Sequence, residues 1–81
     1  MQLQELKTLL ENAFPGAEVQ VASPDEVHFQ ARVVAETFAG KPTLARHRMV
    51  YAALGERMGG EVHALSLRTL TPSEASANGP H

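Results

Sequence analysis

The chain has 81 residues, 43% apolar and 20% charged, with a formal net charge of −2; this suits one small domain around one core and argues against disorder throughout or binding of nucleic acid mainly by phosphate neutralisation. Cysteine is absent, which excludes disulfides, a thiolate nucleophile and any iron–sulfur or zinc site built from this chain's own sulfur. No stretch approaches the roughly 20 apolar residues of a membrane span, and the start, MQLQELKTLL, lacks the basic-then-apolar pattern of a secretory leader, so a cytosolic location is expected.

Leu3, Leu6, Leu10 and Ala13 recur at helical spacing, with Phe14 flanking them and Pro15-Gly16 ending the pattern, which predicts a first amphipathic helix closing near Phe14. Alternation from Ala17 to Val21, turn residues from Ser23 to Glu26 and renewed alternation from Val27 to Phe38 predict a β-hairpin. Phe29, Ala31, Val33 and Ala35 share its apolar face, and His28, Gln30, Arg32 and Glu36 the other. That division suits a sheet covered by helices on one side only.

The stretch Ala39–Pro42 breaks the second strand, and a second helix is expected to start near Pro42 or Thr43, since proline favours the first helical position. Leu44, His47, Tyr51, Leu54 and Met58 follow a 3-4-3-4 spacing, joined by Val50. They read as the buried stripe, with His47 packed inside it as a neutral imidazole holding one hydrogen-bond partner. Gly59-Gly60 is expected to end this helix. A third strand over Val62–Leu70 would place His63, Leu65 and Leu67 on one face and Ala64, Ser66 and Arg68 on the other.

Thr71-Pro72-Ser73-Glu74 has the form of a capping box opening a short last helix, beyond which ASANGPH is small and polar. The expected fold is α+β, in the order α-β-β-α-β with a terminal α: a mixed three-stranded sheet covered by helices on one face, with residues 1–75 as the domain and 76–81 as a frayed tail.

His63 follows a double glycine at the start of a strand, at the rim of the sheet; there it can reach a metal or a partner, or be satisfied by a backbone carbonyl. His28 reads as an exposed polar residue just past the hairpin loop, and two histidines alone do not make a metal site. Arg46 and Arg57 lie eleven residues apart, about three helical turns, and with Lys41 and Arg48 they form either a basic surface or a solvated face. His81 is terminal. The chain contains no G-x-S-x-G, H-E-x-x-H, P-loop or G-x-G-x-x-G pattern, and Asp25-Glu26 is explained by the turn. A binding or regulatory module is expected rather than an enzyme.

Four runs together carry a resemblance: F-A-G-K-P (Phe38–Pro42), R-H-R-M-V-Y-A-A-L (Arg46–Leu54), V-H-A-L-S-L (Val62–Leu67) and T-L-T-P-S-E-A (Thr69–Ala75). In this order they resemble the BolA family over nearly the whole chain, and the short hairpin loop and lack of a long N-terminal extension resemble its compact bacterial members. The resemblance implies a class II KH-like fold and two kinds of function. BolA-like proteins pair with monothiol glutaredoxins around a shared [2Fe–2S] cluster, in which glutaredoxin and glutathione supply sulfur and the BolA-like partner supplies a histidine. Others act as DNA-binding regulators of morphology and stress genes.

On the first reading the family's C-terminal histidine falls on His63. The family's second ligand, a histidine or cysteine, lies in the loop between the first two strands; here that loop, VASPDE, holds neither, and His28 just beyond it is the nearest candidate. The isolated chain would then bind no cluster. On the second reading Lys41, Arg46, Arg48 and Arg57 would be the contacts, although the chain lacks the G-x-x-G loop with which KH domains grip a nucleic-acid backbone. A protein-interaction module without metal or DNA is the third possibility.

Overall fold

The computed structural model describes residues 1–57 and 64–77. Helix α1 (Leu3–Ala13) leads into strand β1 (Glu18–Ala22) and strand β2 (His28–Val34); a 3₁₀ turn (Glu36–Phe38) precedes helix α2 (Thr43–Leu54), a second 3₁₀ turn (Gly55–Arg57) follows it, and strand β3 (Ala64–Leu70) and helix α3 (Pro72–Ala77) complete the order. β1 and β2 are antiparallel, β2 and β3 parallel, in the spatial order β1-β2-β3. The fold is the expected α+β arrangement with a mixed three-stranded sheet. The hairpin gives the antiparallel pair, and a return through α2 gives the parallel one.

Alternation along β2 sends Phe29, Ala31 and Val33 inward, where the register sets them against Val19 and Val21 of β1 and Leu65 and Leu67 of β3. Leu6 and Leu10 of α1 and Val50 and Leu54 of α2 close over this face, and Phe14 and Phe38 fill its end with ring centroids 5.5 Å apart. The other face carries Gln20, Gln30, Arg32, Ser66 and Arg68 and stays open over the middle of the sheet.

Helix α2 departs from its expected orientation. Its buried residues are Arg46, Val50 and Leu54, whereas Leu44 is 62% and Tyr51 38% exposed, and His47 is only half-buried, its ring edge-on to Tyr51 at 6.4 Å. The stripe expected through Leu44, His47 and Tyr51 is therefore corrected: the helix turns toward Arg46, because the guanidinium finds acceptors beneath it and lies over the Phe38 ring, 6.0 Å from its centroid. The expected stop at Gly59-Gly60 is also corrected. The α-helix ends at Leu54, where Gly55 takes φ +57° at the C-cap, a backbone conformation glycine adopts without a Cβ penalty. Met58, Gly59, Gly60 and His63 lie outside the described residues.

The capping box at Thr71 forms reciprocally: the Glu74 N–H donates to Thr71 Oγ1 at 3.1 Å and the Thr71 N–H to Glu74 Oε1 at 2.9 Å. Helix α3 includes Ser76 and Ala77, two residues placed in the tail by sequence, and residues 78–81, His81 among them, lie outside the described residues.

Candidate functional site

The hairpin loop between β1 and β2 is built by side chains bonding to backbone, as Ser and Asp do in turns. Ser23 Oγ accepts the Glu26 N–H at 2.8 Å and donates to the His28 carbonyl at 2.5 Å. Asp25 Oδ1 accepts the N–H groups of Val27 and His28, each at 2.9 Å. Glu26 at the tip has φ +58°, and its carboxylate accepts the Leu3 N–H of α1 at 3.2 Å, tying loop to helix.

The same Asp25 orients a histidine. Its Oδ2 lies 2.9 Å from Nδ1 of His28, so the pair is closed when Nδ1 carries the proton, which leaves Nε2 with its lone pair outward. A carboxylate on one imidazole nitrogen, fixing the tautomer of the other, is the usual support behind a metal-binding histidine. The His28 backbone N–H, then its ring, then the Val27 N–H hold the Asp25 carboxyl well below the usual carboxylate range. The His28 side chain is 68% exposed, open to a partner.

Register places a second position beside it. The Cα partner of His28 across the parallel ladder is Ala64, the residue that follows His63 in sequence. His63 itself lies outside the described residues, and its expected role stays with the sequence. Among the described residues no group of three or more His, Asp or Glu side chains could hold a metal ion. His28 with its Asp25 support fits one nitrogen donor to a cluster; sulfur and the remaining positions would come from elsewhere, since the chain has no cysteine.

The four basic residues, read as either a basic surface or a solvated face, do not all reach solvent. Lys41, in the loop before α2, and Arg48, in the middle of α2, are exposed. Arg46 is corrected: it is 8% exposed, with Nε donating to the Lys41 carbonyl at 2.7 Å, Nη1 to the Thr69 carbonyl at 3.3 Å, and Nη1 and Nη2 to the two Glu74 oxygens at 2.6 and 3.0 Å. It joins the loop before α2, strand β3 and helix α3. The Arg46 bonds lead the causes that hold Glu74 down to about 2, and Glu74 in turn raises Arg46. Arg57 is exposed in the second 3₁₀ turn and borders a depression with Glu5, Thr8 and Asn12 of α1.

Sequence reasoning missed the Asp25–His28 pair and the Arg46–Glu74 fork. The first had a local signal, an aspartate three residues before a histidine across a turn. The second had none, as its partners lie 28 residues apart.

An α+β domain with one mixed sheet, an open face and a histidine held at the rim by its own loop is thus defined. A family model described as "BolA-like protein" matches residues 8–74, and the chain belongs to the BolA-like family. It is 47% identical over 53 residues to "BolA-like protein 1" of Homo sapiens, across 65% of this chain and 39% of the human protein. It is 43% identical over 54 residues to "DNA-binding transcriptional regulator BolA" of Escherichia coli, across 67% of this chain and 51% of that protein. The chain thus spans about two fifths to one half of the length of these curated relatives. The solved structure of a BolA protein homologue from Coxiella burnetii superposes with a TM-score of 0.83 at 39% identity, covering 94% of this chain and 97% of the other. Among the described residues no helix is long and apolar enough to cross a membrane.

Proposed function

We propose that this chain partners a monothiol glutaredoxin around a shared [2Fe–2S] cluster, donating imidazole nitrogen from His63 and His28 while the partner and glutathione supply sulfur. The observation that carries the reading is the Asp25–His28 pair at 2.9 Å, on the strand position whose ladder partner is the neighbour of His63. Family membership supports it, because the resemblance implies a histidine-donating partner. So does the donor chemistry: nitrogen ligation of one iron is the pattern by which Rieske centres raise their potential. Asp25 fixes the His28 tautomer and makes the ring a better donor. The cluster would supply one-electron and cluster-transfer chemistry, and this chain's part is to orient nitrogen at the rim.

The test is co-reconstitution of the full chain and a monothiol glutaredoxin with iron, sulfide and glutathione, followed by gel filtration and visible circular dichroism. A coloured heterodimer with a spectrum changed by His63→Ala and by His28→Ala is expected, and Asp25→Asn should weaken cluster retention by about 10- to 100-fold. A heterodimer whose spectrum neither histidine variant alters would overturn the ligand assignment.

A second reading, a DNA-binding regulator, is favoured by the name of the Escherichia coli relative and by the exposed Lys41 and Arg48. With Arg46 committed to Glu74, fewer cations remain to contact phosphate than sequence suggested. Titration of labelled duplex at several salt concentrations decides it, since a true set of phosphate contacts gives a steep loss of affinity with salt.

A further inference from the structure

The open sheet face was expected from sequence, but no role was assigned to it there. Across it run two rungs of side chains fixed by register. One is Gln20–Arg32–Arg68 and the next is Ala22–Gln30–Ser66. Together these residues line a shallow trough of about 340 Å³, at the low end of the size that holds small ligands.

Arg32 and Arg68 are direct partners on neighbouring strands, which lie about 4.8 Å apart, and like charges placed opposite one another destabilise a sheet. The neutralisation present is thin. Glu18 Oε2 approaches Arg32 Nη1 at 3.5 Å, with 60% of the Glu18 side chain exposed, a geometry that contributes little in water. The Arg68 side chain makes no hydrogen bond or ion pair among the described residues.

The remaining polar groups of both rungs, the amides of Gln20 and Gln30 and the Ser66 hydroxyl, can all donate. Ala22 leaves that corner low. No aromatic ring lines the trough, so it offers no platform on which a nucleic-acid base could stack. Its polar side chains supply donors and positive charge.

We propose that the open face of the sheet is a binding site for a small oxyanion of the phosphate class, held between the Arg32 and Arg68 guanidiniums with Gln30 and Ser66 donating beside them. An oxyanion there converts a repulsive pair into a clamp, and guanidinium forks match phosphate geometry two bonds at a time. The trough lies on the face opposite the helices, the face that His28 also occupies at its rim, and the isolated chain would hold the anion whether or not a cluster forms.

The experiment is titration of the full isotope-labelled chain with inorganic pyrophosphate, reading amide and arginine Nε resonances, against sodium chloride at matched ionic strength. Saturable shifts are expected at Gln30, Arg32, Ser66 and Arg68. Arg32→Gln and Arg68→Gln should each weaken binding at least tenfold, while Lys7→Gln on α1 leaves it unchanged. Shifts reproduced by sodium chloride, or no saturable shift in the wild type, would overturn the site. So would shifts that appear with duplex DNA and not with pyrophosphate. The wild-type arginine resonances report directly, so the result stands even if a variant folds poorly.

Discussion

Two histidines show how little a residue's type decides without its neighbours. His47 reads in sequence as a packed core residue, yet it is half-buried beside Tyr51 on the outer flank of α2, and a carboxylate there would keep access to water. His47→Asp should therefore cost about 1 kcal/mol or less by denaturant unfolding; a loss of several kcal/mol would mean that the helix buries its other flank. His28 reads as merely exposed, and it is exposed, but Asp25 fixes the orientation of its ring. Thr69 is a third case: it is buried on the inward face opposite Val33, and its Oγ1 has no partner among the described residues. Thr69→Val keeps the shape and removes a buried unpaired hydroxyl, so it should raise stability by about 1 kcal/mol. A loss on that substitution would reveal a partner for the hydroxyl.

The elements with a short repeat were legible, and the exception was α2. Period-two alternation fixed which face of β2 is buried, because Phe29, Ala31 and Val33 have no polar competitor on their side. Helix α1 read correctly for the same reason, through Leu6 and Leu10. In α2 the sequence offers apolar residues on both flanks, and a pattern of hydrophobicity cannot foresee that an arginine will be drawn inward by a glutamate from a helix not yet made. Acid titration tests this fork. Glu74 falls from 4.5 to about 2 on folding, Arg46 first among the causes, so its contribution is present above the unfolded value of 4.5 and is lost as pH falls toward 2. The thermal midpoint of the wild type should drop more steeply between pH 5 and 2.5 than that of Glu74→Gln, compared at equal salt. Asp25 is also held well below the usual carboxylate range and acts in both proteins, so the difference isolates Glu74; parallel curves would contradict the pair's role.

At the scale of the molecule, fold class, element order and family were all readable, because a chain of 81 residues has room for one core and the alternation left few ways to close it. Leu54 holds the end of that core at 1% exposure, and Leu54→Ala should cost about 2–5 kcal/mol. Side-chain placement around the two rims was not legible, since it depends on register across strands distant in sequence: His28 meets Ala64, and Arg32 meets Arg68. One measurement tests the donor role most directly: pulsed electron paramagnetic resonance on the reduced complex with glutaredoxin, with ¹⁵N-histidine in this chain alone. Hyperfine coupling from ¹⁵N that is reduced in His63→Ala and in His28→Ala and disappears when both are replaced is the predicted result, and a complex showing no coupling to this chain's nitrogen would contradict the account.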